Sequence, residues 1–344
     1  MQDPTRPELQ PRLDIDHDPI PSPDADESAP IATAPSPSTA TPGTQPGIQK
    51  DQKGLYVLHE DVDEVLLNCT VIDDQGHPVQ DLSANDFRVW EDGVPQTVKS
   101  VHHQDLPVSM GILVDNSGSM RDKRAAVNAA AFSLLKDSNP QDEAFVVNFS
   151  DRAFLDQGFT SDLVSLDRGL SRFDSKGMTA MYDAVAASAD ELSKHAKHRK
   201  QALLIITDGA DNASRLDLEQ AIRRVQNLAG PVVYSIGLLF DTDPAEAAKA
   251  RDALETLSRE TGGIAYFPRS LQDVDQIASD VASDIRHQYT VDYHSSKPMS
   301  LGGYRVVRVE ASAPGHRKLI VRTKRGYYAT EVLKDNETAR QVKE

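Results

Sequence analysis

Asp115, Ser117 and Ser119 stand at alternate positions directly after Val108 to Val114, an apolar run of strand length. A carboxylate and two hydroxyls so placed can turn toward one point above a sheet. Hard oxygen donors of this kind suit a hard divalent cation such as Mg²⁺. Two later segments can join them. Thr179, in Gly177-Met178-Thr179-Ala180, adds a third hydroxyl just before a helical pattern from Tyr182 to Leu192. Asp208 adds a second carboxylate, between the apolar run Leu203 to Thr207 and Gly209. Asp, Ser and Asn also cap helices and shape turns without binding anything. Capping, however, does not require three separated segments to agree.

The elements around these residues alternate between strand and helix. Strands are expected over Ser109 to Val114, Ala144 to Phe149, Ala202 to Thr207, Val232 to Leu238 and Gly263 to Phe267. Helices are expected over Lys123 to Lys136, Leu163 to Arg172, Ala180 to His195, Leu218 to Leu228, Pro244 to Glu260 and Val274 to His287. Near-continuous apolar runs such as Leu203-Leu204-Ile205-Ile206 fit strands covered on both faces. The alternation predicts right-handed crossovers and a mostly parallel, doubly wound α/β sheet. In such a sheet the C-terminal strand ends meet at one crevice, where ligands bind. Asp115, Ser117, Ser119, Thr179 and Asp208 can therefore converge.

In residue type and order, Asp115-x-Ser117-x-Ser119, then Thr179, then Asp208 in a Thr-Asp-Gly turn resembles the metal-ion-dependent adhesion site of von Willebrand factor A domains. The resemblance covers roughly residues 106–287 and implies a Rossmann-like sheet. It further implies Mg²⁺, with Mn²⁺ or Ca²⁺ as alternatives, bound directly by Ser117 and Ser119. Asp115 and Asp208 would act directly or through water, and Thr179 would join in the ligand-bound state. One coordination position would stay open for an Asp or Glu carboxylate of a partner protein. In related A domains, motion of the last helix, here Val274 to His287, couples the metal site to distant contacts.

The flanks read differently. Residues 54–105 are all-β in pattern: Val65 to Ile72, then Phe87 to Glu91, an Asp92-Gly93 hairpin turn, and Thr97 to Val101. This is too little for an independent sandwich. Residues 288–330 supply Tyr289 to Tyr293, Tyr304 to Val309 and Leu319 to Thr323. One small β-sandwich built from both flanks, with the A-type domain of residues 106–287 inserted, is therefore expected. This order, from Trp90-Glu91-Asp92-Gly93 to Arg325-Gly326-Tyr327, is similar to the VWFA-related proteins of acidobacteria.

Residues 1–53, rich in Pro, Ser, Thr, Ala and Asp, are expected to be a disordered tail, and 331–344 a polar one. Asp14, Asp16 and Asp18 alternate like the start of an EF-hand loop. Pro19 stands where that loop needs Gly and Ala25 where it needs Glu, so they read as solvated charge.

The formal net charge of −16 argues against a nucleic-acid surface and against docking on anionic membranes. No run reaches the ~18 apolar residues of a membrane span. Cys69 is the single cysteine, which excludes an intramolecular disulfide, and its strand context predicts a small buried core residue. No charged n-region and apolar h-region opens the chain, so no signal peptide is visible; Met1 before Gln2-Asp3-Pro4 is read as an initiator added to a processed end. There is no Gly-x-Ser-x-Gly elbow, Walker A, HExxH or Rossmann glycine fingerprint. His195 and His198, among Lys194, Lys197, Arg199 and Lys200, read as a solvated helix end, and His102-His103 as surface. The expectation is a non-enzymatic, metal-dependent protein-binding module for adhesion or assembly, placed at the cell surface, in the periplasm or outside the cell. The rivals are a scaffold whose metal holds loops, an accessory subunit of an ATPase-driven assembly system, and a hydrolase.

Overall fold

The computed structural model describes residues 12–15, 49–50, 56–57, 64–103, 105–136, 138–172, 175–227 and 230–329. The chain forms two units. The smaller, residues 17–62, contains the antiparallel pair Gln49–Lys50 and Tyr56–Val57. Most of the expected tail over 1–53, including Asp16 and Asp18, and all of 331–344 lie outside the described residues. Asp14–Ile15 belongs to the larger unit, where it pairs as a short parallel strand and its Asp14 carboxylate meets Arg152 at 3.4 Å.

After Asp14–Ile15 the larger unit continues with strands β1 (Glu64–Ile72), β2 (Phe87–Glu91), β3 (Val94–Gln96) and β4 (Val98–His102). Then follow β5 (Val108–Asp115), α1 (Arg124–Lys136), β6 (Glu143–Phe149), β7 (Ala153–Thr160), α2 (Leu163–Leu170), α3 (Met181–His195) and β8 (Lys200–Thr207). Next come α4 (Leu218–Val225), β9 (Val232–Gly237), α5 (Pro244–Thr261), β10 (Ala265–Tyr266) and α6 (Val274–Arg286). The chain returns through β11 (Tyr289–His294), β12 (Tyr304–Ala311), β13 (Ile320–Arg322) and β14 (Gly326–Tyr328).

The main sheet runs Asp14–Ile15, β7, β6, β5, β8, β9, β10, and every pairing is parallel except β7 with β6. The antiparallel strand β7 departs from the expected pattern; its inward and outward residues carry no clean apolar alternation. Strands β5, β6 and β8 are buried along nearly their whole length because helices cover both faces. Met110, Ile112 and Val114 of β5 pack with α1, α2 and α6, while Leu113 packs with α3, α4 and α5 on the other side. Gly111 lies where an added Cβ would stand 2.5 Å from the Phe145 ring, so the lack of a side chain lets β5 and β6 keep that packing. The strand β5 has β6, its successor, on one side and β8 on the other. The order reverses there, which makes the C-terminal ends of β5 and β8 the crevice of the sheet.

The two flanks do pair with each other. One sheet runs β13-β1-β11-β4 and a second β14-β12-β2-β3, all antiparallel. Their inner faces share one core of Val65, Leu67, Cys69, Val89, Val291 and neighbours, with Cys69 fully buried as expected. The β2–β3 turn places Asp92 and Gly93 at φ 48° and 80°, the left-handed pair that a tight hairpin needs. Inside this core sits a closed ionic cluster. Glu91 accepts from Arg305 (3.1 Å), Ser295 (2.6 Å), Tyr293 (2.7 Å) and Tyr327 (2.8 Å), and Arg305 also donates to the carbonyls of Lys297 and Pro298.

Helix α6 is fastened to the sandwich. Asp284 accepts from Arg322 of β13 at 2.5 and 2.6 Å, from Tyr234 at 2.6 Å and from Thr70 of β1 at 3.3 Å. The ammonium of Lys200 donates to the Ile285 carbonyl. Lys200 therefore does not belong to the solvated basic patch: it is 6 % exposed, at the start of a buried strand, and burial lowers its pKa to about 8.

Candidate functional site

Four of the five residues picked out from the sequence form one chain of contacts above the crevice. The backbone leaves β5 at Asp115, whose fully buried carboxylate accepts from the Ser117 amide at 2.7 Å and from the Thr207 hydroxyl at 2.6 Å. That turn holds Ser117 and Ser119 side by side, hydroxyl oxygens 3.2 Å apart. Ser119 then donates to Asp208 at 2.7 Å, closing the gap between β5 and β8. Ser117 and Asp208 are buried and Ser119 is exposed, so the cluster opens at Ser119. Among the described residues, the Asp115 carboxylate is engaged by Ser117 and Thr207 and the Ser119 hydroxyl by Ser117 and Asp208.

Thr179 reaches the same region through its loop. Gly118 donates to the Gly177 carbonyl at 3.4 Å, and Lys176 to the Asn116 carbonyl at 3.0 Å. Gly177 has φ 84°, and an added Cβ would stand 2.5 Å from an Asp151 oxygen, so only glycine lets this loop pass. The Thr179 amide donates to Asn212 at 2.8 Å, and its carbonyl accepts from the Asn212 and Ala213 amides. Asp211 accepts from the Tyr182 amide at 2.9 Å, which ties the segment after Asp208 to the start of α3. Thr179 is buried, yet among the described residues its hydroxyl makes no hydrogen bond to the other four.

The electrostatics are dominated by burial. Loss of solvent pushes the Asp115 carboxyl up to about 6, against the pull of Thr207 and Ser117, and the nearby Asp208 charge adds to the rise. Two cations answer the two carboxylates. Lys123 donates to the second Asp208 oxygen at 2.7 Å, with its ammonium 5.5 Å from the Phe240 ring centre. Arg124, fully buried beneath, donates to the Asp115 carbonyl at 3.2 Å and to Asn148 at 2.7 Å. Asn148 passes the contact on to Asp156.

This donor set fits a hard divalent cation. Ser117, Ser119, Asp115 and Asp208 are all oxygen donors, and a hydroxyl that donates a hydrogen bond keeps lone pairs for a metal. Among the described residues no group of three or more His, Cys, Asp or Glu side chains forms a rival metal site. Sequence reasoning missed Thr207, Lys123, Arg124, Asn148 and Asn212. Thr207 had a signal, since it precedes Asp208 on the same strand. Lys123 and Arg124 had none, because a basic pair at a helix start is ordinarily solvated.

The von Willebrand factor type A domain model matches residues 110–210. No curated protein matches the chain. Similar solved structures include a von Willebrand factor type A protein from Catenulispora acidiphila, 14% identical over 79% of this chain and 74% of that one, with a TM-score of 0.45. Proximal thread matrix protein 1 of the mussel byssus, solved with a zinc-occupied MIDAS motif, is 16% identical over 58% of this chain, with a TM-score of 0.46. This chain spans 50% of that protein's length. The vWF domain of the type V pili tip protein Mfa5 of Porphyromonas gingivalis is 11% identical over 53% of this chain and 95% of that one, with a TM-score of 0.43. Residues 110–210, which hold Asp115, Ser117, Ser119, Thr179 and Asp208, are thus a von Willebrand factor type A domain.

Proposed function

We propose that this protein is a divalent-metal-dependent protein-binding module, serving adhesion or assembly at the cell surface or outside the cell. The observation that carries the proposal is the contact chain from Asp115 through Ser117 and Ser119 to Asp208, drawn from two strand ends far apart in sequence. When bound there, Mg²⁺, or Mn²⁺ or Ca²⁺ in its place, supplies a Lewis-acidic centre for a carboxylate of the partner. Ser117 and Ser119 hold the ion with neutral oxygens, which leaves it more positive than carboxylate ligands would. Asp115 and Asp208 supply charge and orient water. Thr179, whose hydroxyl is uncommitted to the other four among the described residues, would be the further oxygen available to the ion.

The rim supports a protein ligand. Met178, next to Thr179, is 53% exposed, and an adaptable apolar side chain beside an ionic centre suits a peptide surface. A binding role is favoured over hydrolysis because the two histidines of the basic helix end are engaged elsewhere: His195 with Glu191 at 2.9 Å and His198 with the Gln141 carbonyl at 3.0 Å. Domain limits of 54–105, 106–287 and 288–330 belong to the same reading, with the A domain as an insertion in the sandwich.

The test is Mg²⁺ titration calorimetry on metal-stripped protein beside an Asp115→Ala variant checked by circular dichroism. Binding near one ion per chain, lost in the folded variant, supports the reading. Equal heats from both proteins overturn it.

A further inference from the structure

We infer that Lys123 is a built-in counter-cation that sets the balance between metal affinity and carboxylate acceptance at this site. The inference rests on the metal-binding reading above and deepens it.

Asp208 has two oxygens with different neighbours. One accepts from Ser119 and belongs to the hydroxyl cluster. The other is held at 2.7 Å by the Lys123 ammonium. The Lys123 side chain is 11% exposed and that of Asp208 is 1% exposed, so solvent screens the pair weakly. The ammonium also has the Phe240 ring nearby, which favours a cation at that spot. It comes from the turn between Ser119 and α1, so the segment that supplies the hydroxyls also supplies the charge.

The charge balance gives the consequence. Arg124 lies beneath the cluster between Asp115 and, through Asn148, Asp156, and in the sum of charges Arg124 and Asp156 cancel. Asp115, Asp208 and Lys123 remain, with a single net negative charge when both carboxylates are ionised. A divalent cation turns that into a single net positive charge, which attracts an incoming carboxylate. Without Lys123 the empty cluster would carry two negative charges and hold a metal more tightly. The loaded cluster would then be neutral and a poorer anion acceptor. Lys123 gives up metal affinity and gains ligand affinity.

The experiment uses the full chain with Lys123→Met and Lys123→Arg, each checked by circular dichroism. Mg²⁺ affinity is read by calorimetry. Acetate binding to the Mn²⁺-loaded protein is read from water-proton relaxation, as acetate displaces metal-bound water. Lys123→Met is expected to bind Mg²⁺ about tenfold more tightly and acetate several-fold more weakly, as expected for removing one charge at this distance. Lys123→Arg, which keeps the charge, is expected to stay near the wild type on both readouts. A folded Lys123→Met protein with unchanged or weaker Mg²⁺ binding overturns the inference while leaving the metal-binding reading intact. A wild-type chain that binds no Mg²⁺ overturns both.

Discussion

Two buried carboxylate clusters in this protein solve the same problem in opposite ways. In the sandwich, Glu91 accepts from an arginine, a serine and two tyrosines, while Arg305 is anchored on two backbone carbonyls. Both side chains are at most 1% exposed, and every oxygen of Glu91 is committed. At the crevice, Asp115 and Asp208 are as buried, but beside an amide and the Lys123 ammonium their partners include two hydroxyls, and one of these, Ser119, faces solvent. A guanidinium on fixed carbonyls cannot be exchanged without breaking the core. A hydroxyl can turn its proton away and offer a lone pair instead. The first cluster specifies a structure, and the second can change its contents.

The sharpest way to break this comparison is to cut the closed cluster. Arg305→Met should destabilise the protein by about 3–5 kcal/mol in urea unfolding, because it leaves Glu91 buried without its cation. Mg²⁺ affinity of the folded fraction should not change. A drop in Mg²⁺ affinity would mean that the two clusters are not independent.

Asp115→Asn should act in the reverse sense on metal-free protein. Burial raises the Asp115 pKa to about 6, above its unfolded value of 3.8. The stability tied to this group is therefore complete below about pH 4 and is lost as pH rises through about 6. Metal-free wild type should lose roughly 2–3 kcal/mol from this group across that window. Asp115→Asn, which carries no charge to bury, should lack the slope and be the more stable at pH 7, while losing Mg²⁺ binding.

The same proton gives a third test. A cation must displace it, so Mg²⁺ affinity should fall by up to about tenfold per pH unit below pH 6 and be flat above it. Calorimetry in buffers of different ionisation enthalpy should show proton release at pH 5.5 and none at pH 7.5. Thr179→Ala should have the smallest effect: Mg²⁺ affinity within about twofold of wild type and stability within about 1 kcal/mol, with the loss confined to acetate binding by the Mn²⁺-loaded protein.

What could be read in advance follows from this contrast. The strands β5, β6 and β8 were legible because burial on both faces demands long apolar runs. The convergence of Asp115, Ser117, Ser119 and Asp208 was legible because their types and places at strand ends agree. Strand β7 was not, since a strand with mixed burial leaves no period to find. Lys123 and Lys200 were not, because a lysine becomes internal only through contacts with distant residues: Asp208 for one, the Ile285 carbonyl for the other. The pairing of Glu91 with Arg305 is illegible for the same reason. Long-range pairing of polar groups leaves no mark in local sequence.

The sandwich made from both flanks also imposes an order of events. Tyr293 bonds to Glu91 across 202 positions, and β1 finds its neighbour β11 only after the whole crevice-bearing sheet has been passed. On the ribosome, strands β1 to β4 emerge first and wait, with Val65, Leu67 and Val89 lacking their partners from β11 and β12. The intervening α/β segment consists of more local crossovers and can fold while they wait. Its folding brings the two ends of the segment together and shortens the loop that the sandwich must close. A chain halted before Tyr289 would hold an intact crevice beside an unmatched, adhesive sheet, so the strands that follow the α/β segment are the ones that cover it.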